Sequence, residues 1–472
     1  MEMNGRAGNG LVWRIAAIAG LGGLLFGFDS SVVADIRDQV MAQLVLSEQQ
    51  WSLVVSISLL AAIPGIPLSG LLADRLSRRM LLQLVALGFI AGSVFSALAN
   101  GYFLLLAGRF ITGLCIGVAS YAVPLYIAEI APANRRGGMV LLNGLAITSG
   151  QAIAYLSGFA VHDLSPHSWR WLFWASAIPG VLFFAGLLRV PHSPRWMARH
   201  HGIEAALEVL RAIRAPGHDV SHELQEIREV QTLNASGRWN RRLFSVLLTG
   251  CLLGAFQQLS GINAIMFYGP VIFQSAGFSL VREAIFATFI ISLVNTLFTA
   301  FTLLTVDRLG RRRLLIGGTL AAALGLFGAS YFYSLEGGLA RYGVLSCLSV
   351  YVMGYCVSVG SLFWVLIAEI FPMRIRGFAM SLATVVQWAT TFVIALVFMP
   401  LWSHLGAVHC LLFFGACCLI ATLFIVHFIP ETTGVSLEML EKRLSRGYRI
   451  RDIGRPNGRL STPLDAMMED AI

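Results

Sequence analysis

The stretch Asp74-Arg-Leu-Ser-Arg-Arg79 follows a long apolar run, and it returns in the second part of the chain as Asp307-Arg-Leu-Gly-Arg-Arg312. A second pattern repeats in the same way: Glu129-Ile-Ala-Pro-Ala-Asn-Arg-Arg-Gly137 recurs as Glu369-Ile-Phe-Pro-Met-Arg-Ile-Arg-Gly377. One basic loop alone is explained equally well as a signal that orients a membrane protein. Two acid-plus-arginine patterns that recur in order and nearly in register instead predict two matching halves.

The composition predicts that the chain lies in a membrane. Hydrophobic residues make up 57% of the 472, charged residues only 12%, and the mean hydropathy of +0.73 is well above that of soluble domains. Spanning segments have to be helices here, because an open sheet leaves its backbone unsatisfied in lipid and the alternation of a barrel is absent. We therefore predict an all-α membrane protein with about twelve transmembrane helices in two six-helix halves. The predicted spans are 12–35, 51–73, 80–99, 102–128, 138–161, 171–190, 243–275, 284–306, 313–334, 340–370, 378–402 and 408–429.

A polar stretch between the sixth and seventh spans sets the domain organisation. Short amphipathic helices are predicted within it at 203–213 and 224–230. The predicted domains are an N-terminal six-helix bundle at 12–190, a cytoplasmic helical linker at 191–240, a C-terminal six-helix bundle at 241–430 and a cytoplasmic tail at 431–472. Two parallel halves with sites between them are typical of a secondary transporter.

The arginines fall almost entirely on one side of the predicted bundle. Alternate short loops and the linker carry them: Arg75, Arg78, Arg79, Arg135, Arg136, Arg195, Arg199, Arg211, Arg214, Arg308, Arg311, Arg312, Arg313, Arg374 and Arg376. By the positive-inside rule, both termini are predicted to be cytoplasmic, in a plasma (inner) membrane. The net charge of +9 then reflects topology and contact with anionic lipid. Nucleic acid is a poor partner, because the cations are spread over thin loops.

Two charged residues fall inside predicted spans. Asp29 lies about 24 Å along the first span from Trp13, and Arg109 lies about 10 Å into the fourth span from the other side, at 1.5 Å per residue. In a hydrocarbon core about 30 Å thick, both reach the same depth. A carboxylate at such depth costs on the order of a few kcal/mol and is rarely there without a task. Asp29 and Arg109 are thus predicted to form a proton-switchable pair, which favours ion-coupled transport.

The sequence offers no signal for a metal, a cofactor or catalysis. The seven cysteines all fall in apolar spans, their number is odd and they show no metal spacing, so we interpret them as small hydrophobic residues. No nucleophile–base set or phosphate-binding loop occurs either. We predict a protein without a cofactor that is not an enzyme.

A set of motifs carries a resemblance to a known family. The motifs are Gly27-Phe-Asp29, Arg109, the two repeated loop patterns, Pro191-His-Ser-Pro-Arg-Trp196, Gln257-Gln-Leu-Ser-Gly-Ile-Asn263 and Pro430-Glu-Thr-Thr-Gly434. Together they closely resemble the sugar porter branch of the major facilitator superfamily, from residue 13 to residue 445. The resemblance implies the major facilitator fold and the activity of a bacterial proton-coupled sugar symporter. It implies a small sugar, a proton and the lipid bilayer as partners of a monomer.

The resemblance further implies a substrate cavity between the halves near mid-membrane. Matched position by position, the cavity residues are Phe26, Gln151, Gln257, Gln258, Asn263, Asn295, Gly360, Trp364, Gln387 and Trp388. Amides donate and accept hydrogen bonds as sugar hydroxyls do, and an aromatic ring suits the apolar face of a pyranose. Depth agrees, since Gln151 and Gln257 both lie about 20 Å from the inner face. The alternative for each buried amide is a bond between helices, and Trp388 alone fits plain packing.

The resemblance assigns a cytoplasmic gate to the repeated loops. Ion pairs between acids and arginines would hold the inner side shut while the cavity faces outward. The gate residues are Asp74, Arg78, Glu129, Arg136, Asp307, Arg311, Glu369 and Arg376. The alternative interpretation is solvated charge that only sets topology. Because one exposed pair contributes little, the gate would act as a network.

The chain departs from the family pattern at five positions. In the loops, Ser77 replaces a usual Gly and His192 replaces a usual Glu, which predicts an altered gate at those points. Phe28 and Phe267 stand where Tyr is common, and Ser361 replaces a usual Pro in the tenth span. Loss of the hydroxyl at Phe267 removes a potential hydrogen bond to substrate. The sugar therefore stays open among a hexose, a pentose and a cyclic polyol.

Three functions are compatible with these residues. A proton-coupled sugar symporter that works by alternating access is favoured by Asp29 with Arg109. A passive sugar facilitator is the alternative, although facilitators of this family commonly lack the acid. A non-transporting sugar sensor is the second alternative, but sensors usually carry a long cytoplasmic tail, and the tail predicted here at 431–472 is short.

Overall fold

The protein is built from α-helices throughout the part that the structure describes. The structure is a computed structural model, and it describes residues 3–132, 136–214, 220–232, 241–335, 340–372, 375–432, 443, 448 and 450–453. The first half contains α1 (Met3–Asp35), α2 (Arg37–Leu44), α3 (Glu48–Arg75), α4 (Arg78–Ala97), α5 (Tyr102–Ile130), α6 (Arg136–Val161) and α7 (Ser168–Leu187). Three short helices follow: α8 (Pro194–His201), α9 (Ile203–Ile213) and α10 (Ser221–Thr232). The second half contains α11 (Arg241–Leu259), α12 (Ile262–Phe267), α13 (Gly269–Ser275), α14 (Val281–Leu309), α15 (Arg311–Tyr333), α16 (Ala340–Tyr355), α17 (Ser361–Ile370) and α18 (Arg376–Phe428).

Within the described residues, eleven helical segments are long and apolar enough to cross a membrane, and the last of them is long enough to cross it twice. The helix α18 has 53 residues, a length of about 80 Å, which is more than twice the thickness of a hydrocarbon core. Its path is broken at Gly406, where φ is 80° and ψ is 164°, a conformation that glycine adopts readily. The predicted spans 378–402 and 408–429 lie on either side of this break. The prediction of an all-α bundle with twelve spans in two halves is confirmed.

The seventh and tenth spans are interrupted. Both predicted spans exceed 25 residues, a length that leads us to expect tilt or breaks at Gly and Pro, as at Pro64, Pro124 and Pro270. In the seventh span, Gly261 adopts a φ of 87° between α11 and α12, and an added Cβ would meet the Phe414 ring at 2.7 Å. In the tenth span, a π-helical segment at Cys356–Gly360 separates α16 from α17, and Ser358 leaves helical φ and ψ altogether. An interruption frees backbone groups inside the membrane, and neighbouring side chains have to satisfy them.

The three helices α8–α10 cover one end of the bundle, which we call the linker face. Helix α9 occupies the predicted segment 203–213, α10 extends the predicted 224–230, and α8 is an addition that the sequence analysis did not predict. Arg214 ties this layer to the first half, because it donates to the Ile130 carbonyl at 2.8 Å and pairs with Glu223 at 2.7 Å. Most of the predicted tail at 431–472 lies outside the described residues.

The two halves are in contact at the other end of the bundle, where α2 lies, which we call the opposite face. Residues 27–35 of α1 are all buried. Tyr155 of α6 donates a 2.6 Å hydrogen bond to the Met266 carbonyl of α12, in the second half. Arg282 of α14 lies 3.5 Å from Asp163, which follows α6. The structure is therefore closed at the opposite face.

Candidate functional site

Four amide side chains form a continuous hydrogen-bonded chain in the second half. Gln387 of α18 donates to the Gln257 Oε1 at 2.9 Å, and Gln258 donates to the same oxygen at 3.4 Å. Asn263 of α12 donates to the Gln258 Oε1 at 2.7 Å. The first three are buried and Asn263 is half-buried. Residues predicted from the seventh and eleventh spans are thus brought together, and we call them the amide chain.

Gln257 also supports the interruption of the tenth span. Its Nε2 donates to the carbonyls of Val359 and Gly360 at 3.0 and 3.2 Å. These carbonyls lie at the end of the π-helical segment, where the regular helical bonds are lost. The alternative of a helix-to-helix bond therefore holds for the Nε2 of Gln257. Its Oε1 belongs to the amide chain.

A hydrogen bond between Asn295 and Gln151 joins the two halves. Asn295 of α14 donates to the Gln151 Oε1 of α6 at 3.2 Å, and both side chains are buried. The Asn295 oxygen accepts from the Cys356 thiol at 2.9 Å and from the Thr299 hydroxyl at 3.4 Å. Sequence reasoning missed both of these partners. Thr299 lies one turn after Asn295 and could have been found from the helical spacing, whereas a thiol in an apolar span gives no signal.

Aromatic rings from both halves lie beside the amides. Phe26 of α1 and Trp388 of α18 are tilted against each other with centroids 5.4 Å apart. Trp364 of α17 is half-buried. The Nε1 of Trp388 and the Oε1 of Gln387 are buried without a hydrogen-bond partner. Each of these atoms can be satisfied by a hydroxyl group, which donates and accepts.

The predicted ion pair is present in the first half. Arg109 Nη1 lies 2.7 Å from Asp29 Oδ2, and the two side chains are 2% and 1% exposed. Arg109 also donates to the Asp29 carbonyl at 3.4 Å and to the Ser58 hydroxyl at 3.2 Å. The second carboxylate oxygen of Asp29 and the Arg109 Nε have no partner. The pair is therefore buried, held by charge, and incompletely hydrogen-bonded.

Each half carries one of the predicted gate pairs at the linker face. Arg78 Nη2 lies 3.1 Å from Glu129 Oε1 in the first half. Arg311 Nη2 lies 3.0 Å from Glu369 Oε1 in the second half. Arg376 donates to the Phe371 carbonyl at 3.2 Å. The side chains of Asp74, Arg136 and Asp307 lie outside the described residues. The two repeated patterns thus build the same ion pair twice, once inside each half.

The helices that carry these arginines begin differently in the two halves. In the second half, the Glu431 carboxylate accepts from the backbone N–H groups of the first two residues of α15, at 3.0 and 3.2 Å. In the first half, His192 stands where Glu431 stands in the repeat. There the Ser77 hydroxyl caps α4 by accepting from the Met80 N–H at 3.1 Å. The two loop departures are therefore linked, since Ser77 supplies the cap that a carboxylate supplies in the other half.

His192 lies in a cluster of rings and cations at the linker face. It stacks on Trp196 with centroids 5.6 Å apart. With Arg75 and Arg79 these two rings line a cavity of about 430 Å³. Burial, reinforced by the positive charge of Arg79 and His201, lowers the pKa of His192 below its ordinary value. His192 is consequently neutral at pH 7.

The polar groups buried between the halves are mostly uncharged. Within the described residues, no three His, Cys, Asp or Glu side chains are grouped so that they could hold a metal ion. All seven cysteines are free thiols. Amides, hydroxyls and aromatic rings near mid-membrane suit a neutral, polyhydroxylated ligand rather than an ion.

Comparison with known proteins decides the family. The family model described as Sugar (and other) transporter matches residues 15–444. The chain belongs to this family of sugar transporters. Membership agrees with the resemblance found from the motifs, and it places the chain among transporters rather than enzymes.

Curated relatives align over almost the whole chain. The Galactose-proton symporter of Escherichia coli strain K12 is 35% identical over 463 residues, which cover 96% of this chain and 98% of that protein. The Glucose transporter GlcP of Staphylococcus epidermidis is 34% identical, with 92% of this chain and 97% of that protein covered.

Solved structures share the fold. The proton:xylose symporter XylE bound to 6-bromo-6-deoxy-D-glucose has a TM-score of 0.80 and 31% identity, covering 92% of this chain and 99% of that chain. The inward open conformation of the xylose transporter XylE from E. coli has a TM-score of 0.78 and 32% identity, covering 91% and 99%. The sugar porter family and the major facilitator fold are therefore shown for this chain.

Proposed function

We propose that this protein is a proton-coupled sugar symporter that works by alternating access. The observation that carries the proposal is the buried ion pair between Asp29 and Arg109 in a member of the sugar transporter family. Relatives named as proton symporters of galactose and arabinose support it. A passive facilitator has no need of a buried ion pair, which is expensive to maintain in a membrane.

The sugar is proposed to bind beside the amide chain. Gln387 and Trp388 contribute the unpaired acceptor and donor, and Phe26 contributes a ring from the first half. Gln257, Gln258 and Asn263 extend the polar surface along the second half. Each good hydrogen bond to a hydroxyl contributes on the order of 1 kcal/mol. The pattern suits a hexose, a pentose or a cyclic polyol.

The proton is proposed to bind Asp29. When Asp29 takes up a proton, the carboxyl no longer attracts Arg109, and Arg109 keeps only its bonds to neutral groups such as Ser58. The halves then close on the sugar and open at the linker face, where the proton leaves. Coupling needs only that one proton stabilise the two conformations to different extents.

Each half is proposed to move as one body, with residues 12–190 and 241–430 joined by the linker at 191–240. The linker face is proposed to be cytoplasmic, since it carries the arginine-rich loops. Both termini then lie in the cytoplasm, and the membrane is the plasma (inner) membrane. A monomer is sufficient, because one chain holds both the ion pair and the amide chain.

Transport into proteoliposomes tests the proposal. Radiolabelled hexoses, pentoses and inositol are offered with and without a pH gradient that is acidic outside. We expect at least one sugar to accumulate above its external concentration only when the gradient is present, and a protonophore to abolish this accumulation. Uptake that equilibrates without accumulating would establish a passive facilitator. Binding without uptake would establish a sensor.

A further inference from the structure

A second carboxylate, Asp35, ends helix α1 and takes no part in the sites described above. Its residue is 5% exposed, and neither carboxylate oxygen has a hydrogen-bond partner. It lies six residues after Asp29, about 9 Å farther along the helix toward the opposite face. Asp29 has the guanidinium of Arg109 at 2.7 Å. Asp35 has no corresponding cation among the described residues.

The surroundings of Asp35 come largely from α6. An added Cβ at Gly158 would lie 2.1 Å from Asp35 Oδ2, so this carboxylate fills the space that the glycine leaves. Tyr155 of α6 lies close enough to Asp35 for the two side chains to interact electrostatically. Its hydroxyl hydrogen is already given to the Met266 carbonyl of α12 at 2.6 Å. Asp35 therefore lies beside the contact that seals the opposite face.

The other charged and titratable side chains at this end are engaged elsewhere or carry no bond to Asp35. Arg37, at the start of α2, pairs with Asp38 at 2.9 Å and with Glu48. The other groups at this end are Arg109 on Asp29, Arg170 on the Ala97 carbonyl, Tyr268 on the Ala395 carbonyl, His167 on the Gln43 amide, Asp163 beside Arg282, Tyr102 at the start of α5 and His162 after α6. The charge of an ionised Asp35 would be uncompensated in this conformation.

An ionised carboxylate without a partner is too costly to bury, and such a group takes up a proton instead. We propose that Asp35 is a second proton-binding site, which the protein loads each time the opposite face closes. The inference rests on the proposed alternating access, in which α12 separates from α1 and α6 at this face and water reaches Asp35. Closure then requires that a proton from that water bind one carboxylate oxygen.

This proton returns to the side from which it came. The Asp29–Arg109 pair lies between Asp35 and the linker face, so a proton on Asp35 leaves when the opposite face reopens. The number of protons transported per sugar is unchanged. What changes is the equilibrium between open and closed forms, because the closed form holds one proton more. Once Asp35 ionises in the open form, each further pH unit lowers the ratio of closed to open protein about tenfold.

Sugar counterflow measures this step, because it needs no proton gradient but does need the opposite face to close and reopen. Any alkaline fall that Asp29 causes is common to the wild type and Asp35→Asn, so the difference between the two proteins reports Asp35. Exchange is measured in proteoliposomes from pH 5 to pH 9, with the same pH inside and outside. In the wild type we expect exchange to fall at alkaline pH by up to tenfold per unit. Asp35→Asn keeps the shape of the side chain and cannot ionise, so its exchange at the alkaline end is expected to exceed that of the wild type at least tenfold. Asp38→Asn, an exposed carboxylate of α2, is the matched control and is expected to retain the wild-type profile.

The outcomes separate this site from the proposed function. An alkaline fall that is the same in Asp35→Asn and the wild type overturns the site, even if the wild type accumulates sugar with a proton gradient. Asp35→Asn is also expected to accumulate sugar at pH 6 to the wild-type ratio, and a lower ratio contradicts the return of the proton to its own side. If Asp35→Asn is not monodisperse, Asp35→Ser is tested with the same expectations. Absence of proton-driven accumulation in the wild type would instead defeat the proposed symport.

Discussion

The two halves follow the same six-helix plan but bury different polar chemistry. The first half buries charge, with Asp29 on Arg109 and with Asp35 in the same helix. The second half buries neutral amides, which Gln257 links across its helices. The halves meet at mid-membrane through the bond between Asn295 and Gln151. The ion pair and the neutral polar site thus lie in different halves of the same scaffold. One movement of the halves relative to each other can therefore act on both sites.

At the linker face the two halves instead share the same ion pair and differ in the group that caps the arginine-bearing helix. Arg78 with Glu129 and Arg311 with Glu369 have nearly the same separation. The carboxylate of Glu431 caps α15, whereas α4 is capped by a serine hydroxyl and faces neutral His192. The gate pairs are therefore equivalent in geometry, and among the described residues the carboxylate that caps the arginine-bearing helix is found in the second half.

Removing the positive charge of Arg109 is expected to have the largest effect, a loss of stability. Arg109→Gln leaves Asp29 buried and unpaired, which costs about 3–5 kcal/mol. The apparent melting temperature in detergent should fall sharply, and the double variant Asp29→Asn with Arg109→Gln should recover most of the loss. A double variant that is as unstable as Arg109→Gln alone would show that the two side chains are not energetically coupled.

Shortening the amides of the second half is expected to weaken sugar binding. Asn263→Ala and Gln257→Ala each leave hydroxyls unpaired in a dry cavity, at about 1–3 kcal/mol, or roughly 5- to 150-fold in affinity. Asn263 gives the cleaner test, because Gln257 also holds the backbone of the tenth span. Gln83→Ala, an amide of the first half at the linker face, is the control. Unchanged affinity in both test variants would remove the amide chain from the sugar site.

Neutralising the gate acids is expected to have a moderate effect of similar size in both halves. Glu129→Gln and Glu369→Gln each remove the acid of a largely buried ion pair. As members of the proposed gate network, the neutralised residues should shift the population toward the form open at the linker face. Gly144 lies in the third of α6 nearer the linker face, where a Cβ would meet no other atom within 4 Å. A cysteine placed there, in a variant without native cysteines, should be labelled a few times faster. Equal labelling rates in both variants and the parent would mean that these acids only orient loops.

The smallest expected effect concerns His192. Its pKa is lower in the folded protein than in the unfolded chain, so the unfolded chain binds the proton first as the pH falls. Stability is therefore retained above about pH 6.5 and is lost as the pH falls toward the folded pKa. Between pH 7.5 and pH 5.5, the melting temperature of the wild type should drop slightly more than that of His192→Asn. Equal drops would show that His192 makes no contribution.

Much of the fold could be predicted because lipid leaves few choices. Long apolar runs have to be helices, and the repeated loops fix two halves, so twelve spans follow from the sequence. Breaks in the longest spans could be expected, but their positions at Gly261 and at 356–360 could not, because each depends on a distant partner, the Phe414 ring or the Gln257 amide. Helices α2 and α8 are short and escape an analysis that looks for spans.

Some parts of the candidate site could be predicted in more detail than others. Equal depth along two helices was enough to pair Asp29 with Arg109, since both are charged and both had to find a partner. The amide chain followed from the family resemblance, while its bonds depend on side chains of separate helices. Asp35 was missed because it ends the predicted span, where a carboxylate ordinarily reaches water. Its burial arises only from the packing of α6 and the closed opposite face.

The division between a proton half and a sugar half is tested most directly with Asp29→Asn. The variant is reconstituted into proteoliposomes, and the same preparation is assayed for sugar counterflow and for accumulation driven by a proton gradient. We expect counterflow and sugar binding to persist, since the amide chain is intact, while accumulation against the sugar gradient is abolished. An Asp29→Asn protein that still concentrates sugar with only a proton gradient supplied would contradict the assignment of the coupled proton to Asp29.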